Sequence, residues 1–173
     1  MKKKLVIILL VILILSFAAC KSSEVEAVSA PVNKEIEFDF DVLTSELMQI
    51  NYVDNEGTEK SLLGELKVLS DDEVLRILQI DTSLFSEHYF ARHSNETKAS
   101  LVAIVKPANG DDDKVKSEMY TFVDMYLKQF ESYFPSEVKI IEDYYSIDKG
   151  EYIIYTISDD NQSVINAINK SKK

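Results

Sequence analysis

The spacing of apolar positions changes along the chain, and each change of period marks an element. Val42, Leu43, Leu47 and Ile50 recur at helical spacing behind Asp41, which predicts a short amphipathic helix with Asp41 as its N-cap. Asp54-Asn55-Glu56-Gly57 breaks it. Ser70-Asp71-Asp72-Glu73 has the form of a capping box and opens a second short helix, with Val74, Leu75 and Leu78 on its apolar side. The β-rich runs 88–93 and 101–106, joined by the polar stretch 94–98, predict an antiparallel hairpin that Pro107 stops. Val115, Met119, Phe122, Val123, Tyr126, Phe130 and Phe134 then recur every three or four residues, the strongest helix signal in the chain, until Pro135 ends it. The runs 144–147 and 152–158 flank Asp148-Lys149-Gly150, the three-residue loop of a second hairpin in which Gly150 supplies a positive φ. Asp159 or Asp160 caps a closing helix carrying Val164, Ile165 and Ile168. The order from residue 86 is ββαββα. It predicts an α+β fold: a four-stranded antiparallel sheet of two hairpins with helices packed on one face, preceded by the two short helices.

Before residue 40 the pattern is different. Lys2 to Lys4 precede an unbroken apolar run, then Ser16-Phe17-Ala18-Ala19 and Cys20, the layout of an export signal over residues 1–19. The 15 apolar-run residues from 5 to 19 reach roughly 22 Å as a helix, short of the roughly 30 Å hydrocarbon slab, so a permanent span is strained. Phe17-Ala18-Ala19-Cys20 resembles the lipobox of bacterial lipoproteins, with Phe17 where Leu is commonest. That resemblance implies that the Cys20 sulfur is joined in a thioether to diacylglycerol, with acyl chains of the palmitate kind, before the peptide bond ahead of it is cut. Two or more chains hold a protein on a bilayer where one does not. Cys20 is the sole cysteine, so no intramolecular disulfide exists and the fold rests on its core. Residues 20–39 lack sustained apolar periodicity and read as a flexible tether, leaving 40–173 as a single domain. An uncleaved signal anchor is the other reading of the same segment; either one places the domain outside the cytoplasmic membrane.

Charge narrows the partners. Removing Lys2, Lys3 and Lys4 with the signal leaves 16 basic against 30 acidic side chains, and most of the acids lie after residue 40. A surface that acidic repels phosphates, so nucleic acid is not an expected partner, and a bare anionic bilayer is a poor one.

Leu69-Ser70-Asp71-Asp72-Glu73, Ile80-Asp81, the apolar strand 101–105, Phe130-Glu131-Ser132-Tyr133, Lys149-Gly150-Glu151-Tyr152 and Ile157-Ser158-Asp159-Asp160 together resemble the bacterial lipoproteins called domain of unknown function 4358, over roughly residues 40–169. The resemblance implies an architecture and a place in the cell envelope. It brings no activity, ligand or catalytic residue.

Candidate chemistry is sparse. His88 and His93, five apart on a strand, point to opposite faces and cannot share a metal without a bulge. Ser146-Ile147-Asp148-Lys149 matches the S-x-x-K string of penicillin-recognising enzymes, but it enters a hairpin and no K-T-G accompanies it. Asp111 to Asp113 lack calcium-loop spacing and suit a helix start, as do Asp71-Asp72-Glu73 and Asp159-Asp160. Glu142 and Asp143 are adjacent on the chain and diverge, giving no placed acid and base. No metal site and no cofactor is expected. Seven of the nine tyrosines lie after residue 119, and a sheet covered on one face only would display a Tyr from each late strand, with Tyr145 and Tyr155 as a candidate contact platform. The expected function is a non-enzymatic binding module, lipid-anchored through Cys20 at the cell envelope, whose partner is an envelope protein or a cell-wall glycan. The alternatives are a small envelope hydrolase and a solute-binding lipoprotein.

Overall fold

Two strands without alternation organise the structure. Leu101-Val102-Ala103-Ile104-Val105 and Tyr152-Ile153-Ile154-Tyr155-Thr156-Ile157 are buried at every position, which an antiparallel strand achieves only when both faces of its sheet are covered. The computed structural model describes residues 36–53 and 56–173; the expectations for the signal, for Cys20 and for the tether up to residue 35 lie outside the described residues.

The elements in chain order are α1 (Phe40–Met48), β1 (Asn51–Val53), β2 (Glu59–Ser61), β3 (Leu66–Val68), α2 (Asp71–Glu73), a π turn (Val74–Leu78), β4 (Phe85–His93), β5 (Leu101–Pro107), α3 (Asp112–Tyr133), α4 (Val138–Glu142), β6 (Tyr145–Lys149), β7 (Tyr152–Ile157) and α5 (Asn161–Lys170). Short 3₁₀ turns precede β4, α3 and α4. Strands β1 and β2 form a separate small antiparallel pair, and the main sheet is antiparallel in the order β3-β4-β5-β7-β6.

The fold is α+β as expected, with one correction to the element order, where the short α4 stands between α3 and β6, and two to the sheet. The sheet has five strands, not four, because Leu66–Val68 pairs with the end of β4 in the register Leu66↔His93 and Val68↔Ala91. Three residues are too few to leave a periodic signature. Helices cover both faces, not one. On one side α3 lays Val115, Met119, Phe122, Val123, Tyr126 and Phe130 against Ala103, Val105, Ile153 and Tyr155. On the other, Leu43 and Leu47 of α1 and Val164, Ile165 and Ile168 of α5 cover Val102, Ile104 and Ile154. Each fully buried Val, Leu, Ile, Phe or Met among them stabilises the fold by about 1.5–3 kcal/mol.

Local chemistry sets the boundaries. The N-cap of α1 is Asp39, whose Oδ1 accepts from the Val42 N–H at 3.1 Å, two residues before the expected Asp41. Residues 36–39, which composition puts in the tether, are packed on the domain: Phe38 is buried and bridges Lys172, and the Asp39 N–H donates to the Ser171 carbonyl. The Glu73 carboxylate accepts from both the N–H and the hydroxyl of Ser70, but the helix continues as a π turn that leaves Leu75 58% exposed. Gln79 ends it in the left-handed region. Asp111 and Asp160 cap α3 and α5 through the N–H groups of Lys114 and Ser163. In the second hairpin Lys149 pairs with Tyr152, so the loop is the two residues Gly150-Glu151 with Gly150 at φ 62°, the position where a type II′ turn takes glycine.

Candidate functional site

Strand β3 is shorter than the strand it pairs with, and that difference opens a cleft. Pairing ends at Val68↔Ala91, after which the Leu69 N–H donates once more, to the Phe90 carbonyl at 2.8 Å, and the chain turns away into α2. Strand β4 runs five residues further toward Phe85. The space beside it is a cleft of about 670 Å³, walled by Phe40, Asp41, Thr44, Ser45 and Met48 of α1 and by Val68, Leu69 and Asp71, with His88, Tyr89 and Phe90 as its floor.

Polar groups are placed in it by specific bonds. The Thr44 hydroxyl donates to the Phe40 carbonyl at 2.7 Å, so the Tyr89 hydroxyl, 3.0 Å from the same oxygen, is the donor to Thr44 Oγ1. Burial pushes the Tyr89 phenol above its usual range. On the opposite face of β4, His88 Nε2 lies 3.1 Å from Asp71 Oδ1 at the start of α2. Ser45 Oγ accepts from Gln49 Nε2 at 3.2 Å. Beside these polar groups the apolar part of the lining is open: Met48 and Val68 are 47% and 46% exposed.

The tyrosine platform does not form. Tyr145 pairs with Thr156 and Ser146 with Tyr155, so Tyr145 and Tyr155 point to opposite faces of the sheet. Tyr155 is 5% exposed under α3, and Tyr145 stands half-exposed on the edge strand β6. The premise of an uncovered face fails because α1 and α5 occupy it. Ser146 and Lys149 sit three apart on β6 and diverge, so the S-x-x-K spacing brings nothing together.

The two histidines do separate. His88 is on the α3 side with Asp71, and His93 is on the α1 side, its Nδ1 accepting from the Asn95 N–H at 2.9 Å. Burial, then the nearby Lys98 ammonium, hold the His93 ring below its ordinary pKa. Among the described residues no three or more His, Cys, Asp or Glu side chains converge as a metal site. Asp41, Thr44, Met48 and Asp71 were not legible as site residues. Asp71 reads as a helix-start acid, and no local pattern reports that β3 stops short.

A family model described as domain of unknown function (DUF4358) matches residues 59–158, the span from β2 to just past β7. No curated protein and no solved structure matches the chain.

Proposed function

Starting from the fact that the chain belongs to the family described as domain of unknown function (DUF4358), we propose that it is a non-enzymatic binding module, held on the extracytoplasmic face of the cell membrane by lipid on Cys20 and receiving an envelope protein in the cleft beside β4. The observation that carries the reading is the cleft itself: an open groove of mixed polar and apolar lining with an acid on each rim, which is the composition of a recognition site. The lipobox-like Phe17-Ala18-Ala19-Cys20 supports the anchor.

The His88–Asp71 pair gives a hydrolytic second reading its one foothold, since a carboxylate-oriented imidazole is a general base. Against it, among the described residues no serine hydroxyl hydrogen bonds the His88 ring, and Ser45 Oγ is engaged by Gln49.

Photocrosslinking in intact cells tests the main reading, with the crosslinker placed at Ser45 or Met48 and, as a control, at the exposed Tyr133 on α3. A discrete protein adduct from the cleft positions and none from Tyr133 is expected. Adducts at Tyr133 alone would remove the cleft from consideration. Cys20→Ser is expected to release the chain from the membrane fraction; retention of that variant would refute the lipid anchor. Ester hydrolysis by the purified chain that disappears in His88→Ala would replace the binding reading with the enzymatic one.

A further inference from the structure

The floor of the cleft is a strand edge with backbone groups that no strand among the described residues pairs. The Ser94 N–H bonds the Glu65 carbonyl and the Phe90 carbonyl accepts from Leu69, both on the β3 side, whereas the His93 N–H bonds Ser100 on the β5 side. Backbone direction alternates along a strand, and the register from Glu87 to Arg92 against β5 is unbroken. The even-numbered residues of β4 therefore present their N–H and C=O toward β3, and His88 presents them where β3 has already ended. Among the described residues no strand pairs with that edge before Phe90. The register shift between Phe85 and Glu87 ends the regular edge on the other side, so the open length is a short window centred on His88.

We propose that the cleft binds an extended, basic polypeptide segment by strand addition, antiparallel to β4, with its backbone paired to His88. This rests on the reading of the cleft as the binding site and names the partner's chemistry. Antiparallel addition continues the line of β3 and gives the segment two side-chain directions. The residue opposite His88 shares its face and meets Asp71, whose carboxylate is 72% exposed. Its neighbours point the other way, toward Phe40, Met48 and Tyr89. One rim offers an acid and the other an apolar wall with Asp41 at its margin, so the segment that fits alternates basic and apolar residues. The charge of the chain as a whole, −11, attracts such a segment and repels acidic ones.

Changes to the peptide backbone provide the main test, and one protein variant the second. The probe is an acetylated, amidated heptapeptide alternating lysine and valine, its binding to the full-length chain in detergent followed by fluorescence anisotropy. Two N-methylated versions are compared, one methylated on every lysine nitrogen and one on every valine nitrogen. In the proposed register the lysine N–H groups face His88 and the valine N–H groups face away. Methylation on lysine is expected to weaken binding at least tenfold, and methylation on valine less than twofold. Asp71→Asn is expected to weaken the parent peptide severalfold at low salt and to flatten its salt dependence, and a glutamate–valine peptide is expected not to bind. Equal behaviour of the two methylated peptides, or equal binding of the glutamate peptide, would overturn the proposal, as would absence of binding by the parent peptide. Crosslinks that map to the cleft together with equal methylated peptides would sink strand addition alone, whereas crosslinks that avoid the cleft would sink the site.

Discussion

Gly64 is where one methyl group has the most calculable effect. It sits just before β3 at φ 65°, and a Cβ placed there would lie 2.0 Å from His93 Nε2, 2.6 Å from Cδ2 and 2.9 Å from Cε1. Two separable costs follow for Gly64→Ala. Holding an L residue in the left-handed region costs about 1–2 kcal/mol. Relieving the overlap requires the His93 ring to swing away, which gives up its 2.9 Å bond from the Asn95 N–H, or requires β3 to shift on β4; overpacking of this kind costs about 1–3 kcal/mol. The single variant is therefore expected to lose about 2–5 kcal/mol. In a His93→Ala background the ring is gone and only the conformational cost of about 1–2 kcal/mol remains. Urea unfolding of the four proteins, followed by far-ultraviolet circular dichroism because the chain has no tryptophan, measures the coupling. A coupling of about 1–3 kcal/mol is expected, and a value within about 0.5 kcal/mol of zero would refute the packing of His93 on Gly64.

Three further outcomes follow from other parts of the structure. Glu137, 6% exposed, accepts from the Lys98 ammonium at 2.7 Å and the Ala99 N–H at 3.2 Å; Glu137→Ala strands that buried N–H and is expected to cost about 1–3 kcal/mol in the same unfolding assay, with a loss below about 0.5 kcal/mol counting against the bond. Because burial lowers the folded pKa of His93 below 6.5, the folded state binds fewer protons than the unfolded chain in the interval between the two values. Its contribution to stability is whole above pH 6.5 and is lost as pH falls toward the folded value, and His93→Gln is expected to flatten that part of a stability–pH curve; an unchanged curve would remove His93 as its source. Tyr155→Ala, opening a cavity under α3, is expected to cost about 3–5 kcal/mol, whereas Tyr145→Ala on the half-exposed edge costs far less, a contrast that equal losses would contradict.

Much of the fold is local in origin and was readable as such. The face of α3 from Val115 to Phe130 is buried at the positions its spacing names, and Asp160, Ser70 and Gly150 mark their helix and turn termini through side-chain bonds or backbone freedom that involve only near neighbours. The candidate site is another matter. Its parts come from α1, the end of β3, the start of α2 and the middle of β4, and none of Thr44, Asp71 or His88 differs in type or spacing from an ordinary surface residue. One tertiary feature did leave a trace: the runs 101–105 and 152–157, apolar throughout but for Thr156, report burial on both faces, which rules out the open Tyr face.

Taken alone, the order of residues determined the kind and rough limits of the major elements, the antiparallel hairpins, and the acidity of the product, because periodicity, capping and charge are properties of short stretches of chain. Where three-residue β3 would stop along β4, and which helices would close each face of the sheet, was decided by long-range packing. Strand ends and layer assignment depend on contacts between segments far apart in sequence, and it is there that, among the described residues, the edge at His88 was left without a pairing strand.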